Sequence, residues 1–147
     1  MRFTPLTGKE DRSRLLAIAA QDMSVGYHAA LARELDDVAR GASRGICAID
    51  GVSPLGYAVY HRTAQTYHLD TIAVDRSRRG EGIGAALLAS VRADLRQAGP
   101  TILNVVTDAA AREALAFYAR QGFVLAGAVK DEFLPGVTQV HLTMEIR

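Results

Sequence analysis

The stretch from residue 69 to residue 98 constrains the fold more than any other part of the chain. It consists of an apolar run, LDTIAV, a glycine-rich loop, DRSRRGEGIG, and a periodic segment, AALLASVRADLRQA. The run is typical of a buried β-strand, and the loop is typical of a turn. Apolar residues then recur every four positions, as in a helix packed on a sheet, at Ile83, Leu87, Val91 and Leu95. The stretch therefore predicts a strand, a turn and a helix that begins at the turn.

The composition of this turn indicates an anion-binding site. Glycines at positions 80, 82 and 84 leave the backbone uncovered. The free N–H groups and the dipole at the start of a helix attract phosphate. Three arginines, Arg76, Arg78 and Arg79, add positive charge to the same loop. We therefore expect a ligand that carries phosphate groups to bind here.

The overall composition is that of one ordinary globular domain, which we expect to span residues 1–147. Seventeen basic and 16 acidic side chains give a net charge of +1, so no overall field attracts nucleic acid. The one cysteine, Cys47, excludes an internal disulfide, and its apolar neighbours predict a buried strand residue. No segment has the pattern of a membrane span or a signal peptide. We therefore expect a cytoplasmic protein without nucleic-acid or membrane partners.

Hydrophobic periodicity and turn residues place strands and helices along the rest of the chain. Strands are predicted over 2–5, 46–49, 55–61, 66–74, 101–106, 123–129 and 138–146, and helices over 9–20, 24–40, 83–98 and 109–120. The strand, helix and strand around the glycine turn predict two parallel neighbours joined by a right-handed crossover. The order β-α-α-β-β-β-α-β-α-β-β predicts one mixed α/β domain.

Two familiar phosphate-binding motifs fit the turn poorly. A P-loop needs Lys and Ser or Thr after its last glycine, whereas Gly84 is followed by Ala85 and Ala86. A dinucleotide-binding fingerprint matches Gly80, Gly82 and Ala85, and Asp108 ends the next strand as a ribose-binding acid would. Residues 75–79 nevertheless separate the strand from the glycines, and the chain has too few βαβ units. A dinucleotide-binding protein stays a remote alternative.

A third reading rests on two motifs in the right order. Residues 79–84, RGEGIG, have the R/Q-x-x-G-x-G/A form of the coenzyme A-binding loop of the GNAT acetyltransferase superfamily. Residues 114–118, ALAFY, followed by QGF at 121–123, are similar to that family's A-x-x-F-Y…GF segment. The resemblance covers nearly the whole chain. It implies a mixed sheet of six or seven strands flanked by about four helices, with splayed parallel central strands.

The resemblance also implies acetyl-CoA as the acetyl donor and no metal. The pyrophosphate would lie on the backbone N–H groups of residues 79–85, and the pantetheine arm would run beside residues 72–74 like an added strand. A backbone N–H near Ala73 would stabilise the oxyanion. The implied cofactor-binding residues are Ile72, Ala73, Val74, Arg79, Gly80, Glu81, Gly82, Ile83, Gly84, Ala85 and Tyr118.

The reaction implied for the family is direct attack of an amine on the thioester, without a covalent enzyme intermediate. Tyr118 occupies the position of the family's tyrosine that faces the thiolate, and we expect it to be the general acid. For the general base we rank Asp70 first, then His68 on the same strand face, then His61. The chain departs from the family at Ala111, where an asparagine that binds pantetheine is common.

The acceptor side is implied to lie between residues 21–28 and 130–137. Tyr27, His28 and Phe133 are the candidate substrate-binding residues there, and the nearby acidic and aromatic groups suit a cationic amine. The acceptor is left open between a small-molecule amine and a peptide amine, and a homodimer is also left open. The alternative from another class is a catalytically silent regulatory module that binds acyl-CoA. Tyr118 favours the enzyme, since a module that only binds needs no acid.

Overall fold

The predicted order of elements is confirmed by the computed structural model, which describes residues 1–147. The strands are β1 (Arg2–Pro5), β2 (Arg44–Asp50), β3 (Ser53–Thr63), β4 (Thr66–Val74), β5 (Thr101–Asp108), β6 (Val124–Lys130) and β7 (Thr138–Ile146). The helices are α1 (Arg12–Ala20), α2 (His28–Ala39), α3 (Ile83–Arg96) and α4 (Arg112–Gln121), with short 3-10 turns at Val25–Tyr27 and Arg76–Arg78. None of the helices combines the length and apolar character that crossing a membrane requires.

Three helices begin later than the sequence predicts, and polar side chains hold the turns ahead of two of them, α1 and α4. Before α1, the Glu10 carboxylate accepts hydrogen bonds from the backbone N–H groups of Thr7 and Gly8. Asp11 then caps the helix by accepting the N–H of Arg14. The pattern over 24–40 divides into a 3-10 turn and α2. Before α4, the Asp108 carboxylate accepts the N–H of Ala110 at 2.8 Å.

One seven-stranded sheet forms the centre of the molecule, in the order β1-β2-β3-β4-β5-β7-β6. Only β4 and β5 are parallel, as the strand–helix–strand pattern predicted. Their pairing is short: it includes Tyr67 with Leu103, His68 with Asn104, and Leu69 with Val105, and then stops. Beyond those pairs the two strands separate and leave an opening toward their carboxyl ends. The predicted splayed central strands are therefore confirmed.

Two apolar cores lie on opposite faces of this sheet. The larger core includes the predicted stripe of α3, whose four residues Ile83, Leu87, Val91 and Leu95 are at most 3% exposed. The smaller core joins α1 and α2 to the other face and contains Cys47, which is fully buried as predicted. Burial raises the pKa of the Cys47 thiol to about 11, as expected for a structural cysteine.

A β-bulge at Asp70 changes which side chains share a face of β4. Val59 of β3 pairs with Thr71, while the next residue, Tyr60, pairs with Leu69, so Asp70 is the extra residue. Strict alternation would place Thr71 on the same face as Leu69, in the larger core. Instead Thr71 faces α2, where its hydroxyl donates to the Glu34 carboxylate. The bulge therefore brings Thr71 to the face that α1 and α2 cover, just beyond the end of the β4–β5 pairing.

Candidate active site

The glycine turn between β4 and α3 depends on backbone conformations that favour glycine. Gly80 and Gly82 both have φ of +80°, and the space around their α-carbons is open. Glycine is therefore required at these two positions because of the backbone conformation. At Gly84 the reason is space, because an added Cβ would lie 3.2 Å from the Phe117 ring on α4. The sequence-based explanation, that side chains would block a ligand, is refined accordingly.

Backbone N–H groups make this turn an anion-binding surface. The first hydrogen bond of α3 runs from the N–H of Ala86 to the carbonyl of Gly82, at 3.0 Å. The seven N–H groups of residues 79–85 donate to no other group of the chain. Unpaired N–H groups at the start of a 14-residue helix carry its positive dipole end. The turn can therefore hold a phosphate or pyrophosphate through its backbone alone.

The three arginines of the loop are held by carboxylates. Arg78 pairs with Asp50 and Glu81, while Arg76 and Arg79 both pair with Asp22 in the connection after α1. These ion pairs fix the loop to β2 and to the connection after α1. Their acidic partners reduce the free positive charge that the sequence suggested for a ligand.

Asp75, at the start of the loop, is also held by side-chain contacts. Its carboxylate accepts the N–H and hydroxyl of Ser77 and pairs with Arg14 of α1. These contacts lower the pKa of Asp75 to about 2. The loop that precedes the glycines is therefore anchored to both the sheet and α1.

Alternate residues of β4 present their backbone groups to the opening. The carbonyl oxygen of Ala73 points at β3, since it lies 2.7 Å from where a Cβ on Gly56 would be. Asp75 also bonds to β3, through its N–H and the carbonyl of Leu55. By strand alternation, Ile72 and Val74 then face the opening, and the carbonyl of Val74 accepts from Arg79. The backbone N–H of Ala73 itself therefore faces β3, and the outward-facing N–H groups next to it are those of Ile72 and Val74.

Tyr118 lies on α4 with its ring in the larger core. It is 7% exposed and packs edge-on against Phe117 and Phe123, with ring centroids 5.5 Å and 5.3 Å away. Phe117 contacts the start of α3 near Gly84, so α4 lies directly against the glycine turn. Burial raises the pKa of Tyr118 to about 12, which keeps the phenol protonated at neutral pH.

The three predicted base candidates come together on one side of β4. The Asp70 carboxylate lies 2.7 Å from Nδ1 of His61, and the His61 and His68 rings are 5.6 Å apart. Burial raises the pKa of Asp70 against the lowering effect of His61, and burial lowers the pKa of His68. Asp70 is directed toward β3, on the side of β4 away from β5.

A cavity of about 460 Å³ lies beside this group. It is lined by His68, Asn104, Val105, Val106, Ala126, Phe133, His141 and Leu142. On its far wall His141 is hydrogen-bonded to Glu132 at 2.8 Å. The cavity has the size and mixed character of a site for a small molecule or a short peptide end.

The predicted acceptor residues have different positions. Phe133 lines the cavity and is 57% exposed. Tyr27 accepts a hydrogen bond from Gln139 of β7 at 2.8 Å, which ties the connection before α2 to the sheet. His28 instead contacts the carbonyl of Met23 at 3.1 Å, within its own connection.

Sequence reasoning missed Glu34. Its carboxylate reaches Thr71 on β4, and burial together with the charge of Asp70 raises its pKa to about 7. The available signal was its position on α2, three residues after Leu31 and within the apolar stripe that includes Leu35 and Val38. An acidic residue within the apolar stripe of a helix is unusual and indicates a specific role for its carboxylate.

The described side chains contain no group of three or more His, Cys, Asp or Glu residues arranged to hold a metal ion.

Residues 13–123 match the profile described as "Acetyltransferase (GNAT) family". The match covers well over half of the chain, so this protein belongs to the GNAT acetyltransferase family. The resemblance drawn from the two sequence motifs is thereby confirmed.

Individual relatives agree with this assignment. Blasticidin-S acetyltransferase of Streptomyces morookaense is 34% identical over 91 residues, which are 62% of this chain and 65% of that protein. The matched region thus spans less than two thirds of that relative.

Solved structures match over nearly the whole chain. A GNAT-family protein from Desulfovibrio desulfuricans superposes with a TM-score of 0.88 at 24% identity, over 99% of both chains. An acetyltransferase from Elizabethkingia anophelis, solved with acetyl-CoA bound, gives 0.79 at 22% identity, over 98% of this chain and 97% of that one. At these identities the likeness establishes a shared fold, and the predicted fold class is confirmed.

Proposed function

We propose that this protein is an acetyl-CoA-dependent N-acetyltransferase that moves an acetyl group to a primary amine. The observation that carries the proposal is the row of seven free N–H groups at residues 79–85, next to the opening between β4 and β5. Membership of the GNAT family supports it, as does the relative named for acetylation of blasticidin S.

The residues around the opening fit acetyl-CoA. The turn at 79–85 offers N–H donors for the pyrophosphate, with Arg79 at its edge. The free edge of β4 offers the backbone groups of Ile72 and Val74 to the amides of the pantetheine arm, in the manner of an added strand. The substrate supplies a thioester, whose carbonyl carbon is the electrophile.

The chain contributes two groups to the transfer itself. The N–H of Ile72 faces the opening and is the donor we assign to the oxyanion of the tetrahedral intermediate. Tyr118 is the acid we assign to the leaving thiolate, since its phenol carries a proton at neutral pH. Phe117 packs against the turn and serves the structure.

The acceptor we infer is a small-molecule or peptide amine bound in the cavity beside His68. Phe133 and the His141–Glu132 pair supply an aromatic surface and a carboxylate, which suit a cationic amine. Asp70, His61 and His68 add further polar groups near the opening.

A regulatory module that binds acyl-CoA is the second candidate, and one observation favours it. Ala111 stands at the N-cap of α4 and offers no side-chain hydrogen bond, where the family resemblance expects an asparagine that holds pantetheine. Such a module would bind acyl-CoA at the glycine turn but would not catalyse acetyl transfer.

The experiment is calorimetric titration with acetyl-CoA, CoA and NAD, together with thiol release measured against a panel of amines and peptides. Acetyl-CoA binding with amine-dependent thiol release supports the transferase. Binding of CoA without turnover over the whole panel favours the regulatory module. Binding of NAD without any binding of CoA would overturn both candidates and would support a dinucleotide-binding protein instead.

A further inference from the structure

Glu34 occupies an unusual position for an acid on an amphipathic helix. It faces the sheet from α2, and its carboxylate accepts the hydroxyl of Thr71. Thr71 stands two residues beyond Leu69, the last residue of β4 that pairs with β5. The Glu34 carboxylate therefore lies where the opening begins, on the face that also carries His68 and the acceptor cavity.

This carboxylate has no cation to balance it. Two acids farther along the same helix are paired: Asp36 with Arg12 at 2.9 Å, and Asp37 with Arg40. Glu34 takes part in no ion pair, although burial of an unpaired carboxylate is costly.

The groups that face Glu34 leave it able to exchange a proton. Burial has the largest effect and raises its pKa, the Thr71 hydrogen bond and the charge of Arg33 lower it, and the charges of Asp70 and Asp37 raise it further. On β3, the Tyr57 hydroxyl is fully buried without a hydrogen-bond partner, and burial together with the charge of Glu34 raises the Tyr57 pKa. An unsatisfied buried hydroxyl beside an unpaired carboxyl indicates a polar site that a ligand or water completes.

Asp70, the base expected from the family resemblance, is differently placed. Its carboxylate is hydrogen-bonded to His61 of β3, and β3 lies across β4 from the opening. The Asp70 carboxylate is therefore held toward β3, where Nε2 of His61 in turn lies 3.2 Å from the Thr63 hydroxyl.

We propose that Glu34, held by Thr71, is the general base that takes the proton from the acceptor amine. The inference rests on the proposed acetyl transfer. It assigns a catalytic role to α2, and it leaves Asp70 and His61 as a structural pair that fixes the bulge behind Thr71.

The acceptor ammonium gives one N–H proton to a Glu34 oxygen, and the freed lone pair forms the N–C bond to the thioester carbonyl. The C–S bond then breaks as the carbonyl re-forms. The second proton of the nitrogen replaces the one that Tyr118 donates to the sulfur. The amide and the thiol leave, and Glu34 releases its proton to water.

The test compares Glu34→Gln with wild type in steady-state thiol release from pH 6 to pH 10, using an amine that the wild type accepts. Because Gln keeps the shape and the Thr71 contact but binds no proton, kcat at pH 7 should fall by about 10²- to 10⁴-fold. The loss should shrink near pH 10, where bulk water already supplies the neutral amine. Calorimetric acetyl-CoA affinity should not change.

Three further variants sharpen the result. Asp36→Asn, two residues along the same helix and ion-paired at the surface, should keep full kcat. Glu34→Asp should keep part of the rate and its rise with pH. Asp70→Asn should lower kcat less than Glu34→Gln does.

The inference is overturned if Glu34→Gln keeps kcat within threefold of wild type and retains the rise with pH. It is also overturned if Asp70→Asn shows the larger loss. Failure of the proposed function looks different: the wild type itself would then bind acetyl-CoA and release no thiol with any amine, and both proposals would fall together.

Discussion

The two sides of the opening between β4 and β5 are built by different means. On the side of the glycine turn, residues 79–85 are contiguous and offer only backbone N–H groups. On the proposed acceptor side, the side chains come from separate elements. Glu34 lies on α2, Asp70 and His68 on β4, His141 on β7, and Phe133 in the loop before β7. A site made from the backbone of one loop can be predicted from a short sequence motif. A site made from distant side chains depends on how the sheet is assembled.

The difference predicts that the two sides respond differently to substitution. Side-chain changes on the acceptor side should alter turnover and leave acetyl-CoA affinity intact. Backbone changes in the turn should alter affinity for acetyl-CoA first. The following variants test that division, beginning with the largest expected effect.

Tyr118→Phe should lower kcat for thiol release by about 10²-fold or more, because the thiolate loses its proton donor. Acetyl-CoA affinity should stay within about twofold, since the ring and its contacts with Phe117 and Phe123 are kept. Tyr60→Phe is the matched control: it also removes the hydroxyl of a buried tyrosine, the one that donates to Asp94. Equal turnover of Tyr118→Phe and wild type would exclude Tyr118 as the acid.

Gly82→Val should weaken acetyl-CoA binding by about 10- to 100-fold, because a β-branched residue at φ of +80° costs roughly 1–3 kcal/mol and distorts the N–H row. Calorimetry measures the effect directly. Gly99→Val controls for general strain, since Gly99 has φ of +98°, open space around it, and a position beyond the far end of α3. If both variants lose affinity equally, the turn has no special part in binding.

The same division explains how much could be predicted from the sequence. The element order, the buried stripe of α3 and the turn conformation follow from local patterns, namely spacing of apolar residues and glycine placement. The edge toward which each N–H of β4 points did not follow from the sequence, because it depends on the register with β3. The bulge at Asp70 has no local signature either, and it decides that Thr71 meets Glu34.

The ends of the helices show the same limit on a smaller scale. The pattern over 9–20 does form a helix, but α1 begins only at Arg12. The Glu10 carboxylate accepts hydrogen bonds from the N–H groups of Thr7 and Gly8 and holds a turn ahead of the helix. The charge of the glycine loop was also overestimated, since Asp22 lies 50 or more residues away and still pairs with Arg76 and Arg79. Such long-range pairs cannot be derived from local composition.

Glu34→Gln should stabilise the fold at alkaline pH, independently of any activity. The pKa of Glu34 is raised from 4.5 to about 7, so the folded state binds a proton more tightly than the unfolded state. Its contribution is therefore fully present below pH 4.5 and is lost as the pH rises through about 7. The variant should gain about 1–3 kcal/mol over wild type at pH 8.5 and little at pH 4.

Thermal unfolding at the two pH values measures this difference, with Asp36→Asn as the control that should show no such dependence. A gain that is the same at both pH values would mean that Glu34 does not carry a raised pKa. The acceptor side would then lack the proton-exchanging carboxyl that distinguishes it from the turn.

Ala111→Asn should give the smallest effect, and it acts where the two sides meet at the start of α4. An asparagine at the N-cap can accept a helix N–H that Ala111 leaves free, which should stabilise the protein by about 0.5–2 kcal/mol. If the family resemblance extends to pantetheine binding, acetyl-CoA affinity should rise a few-fold as well. Denaturant unfolding and calorimetry separate the two contributions. A gain in stability without a gain in affinity would mean that the free edge of β4 and the N–H row already hold the arm without help from α4.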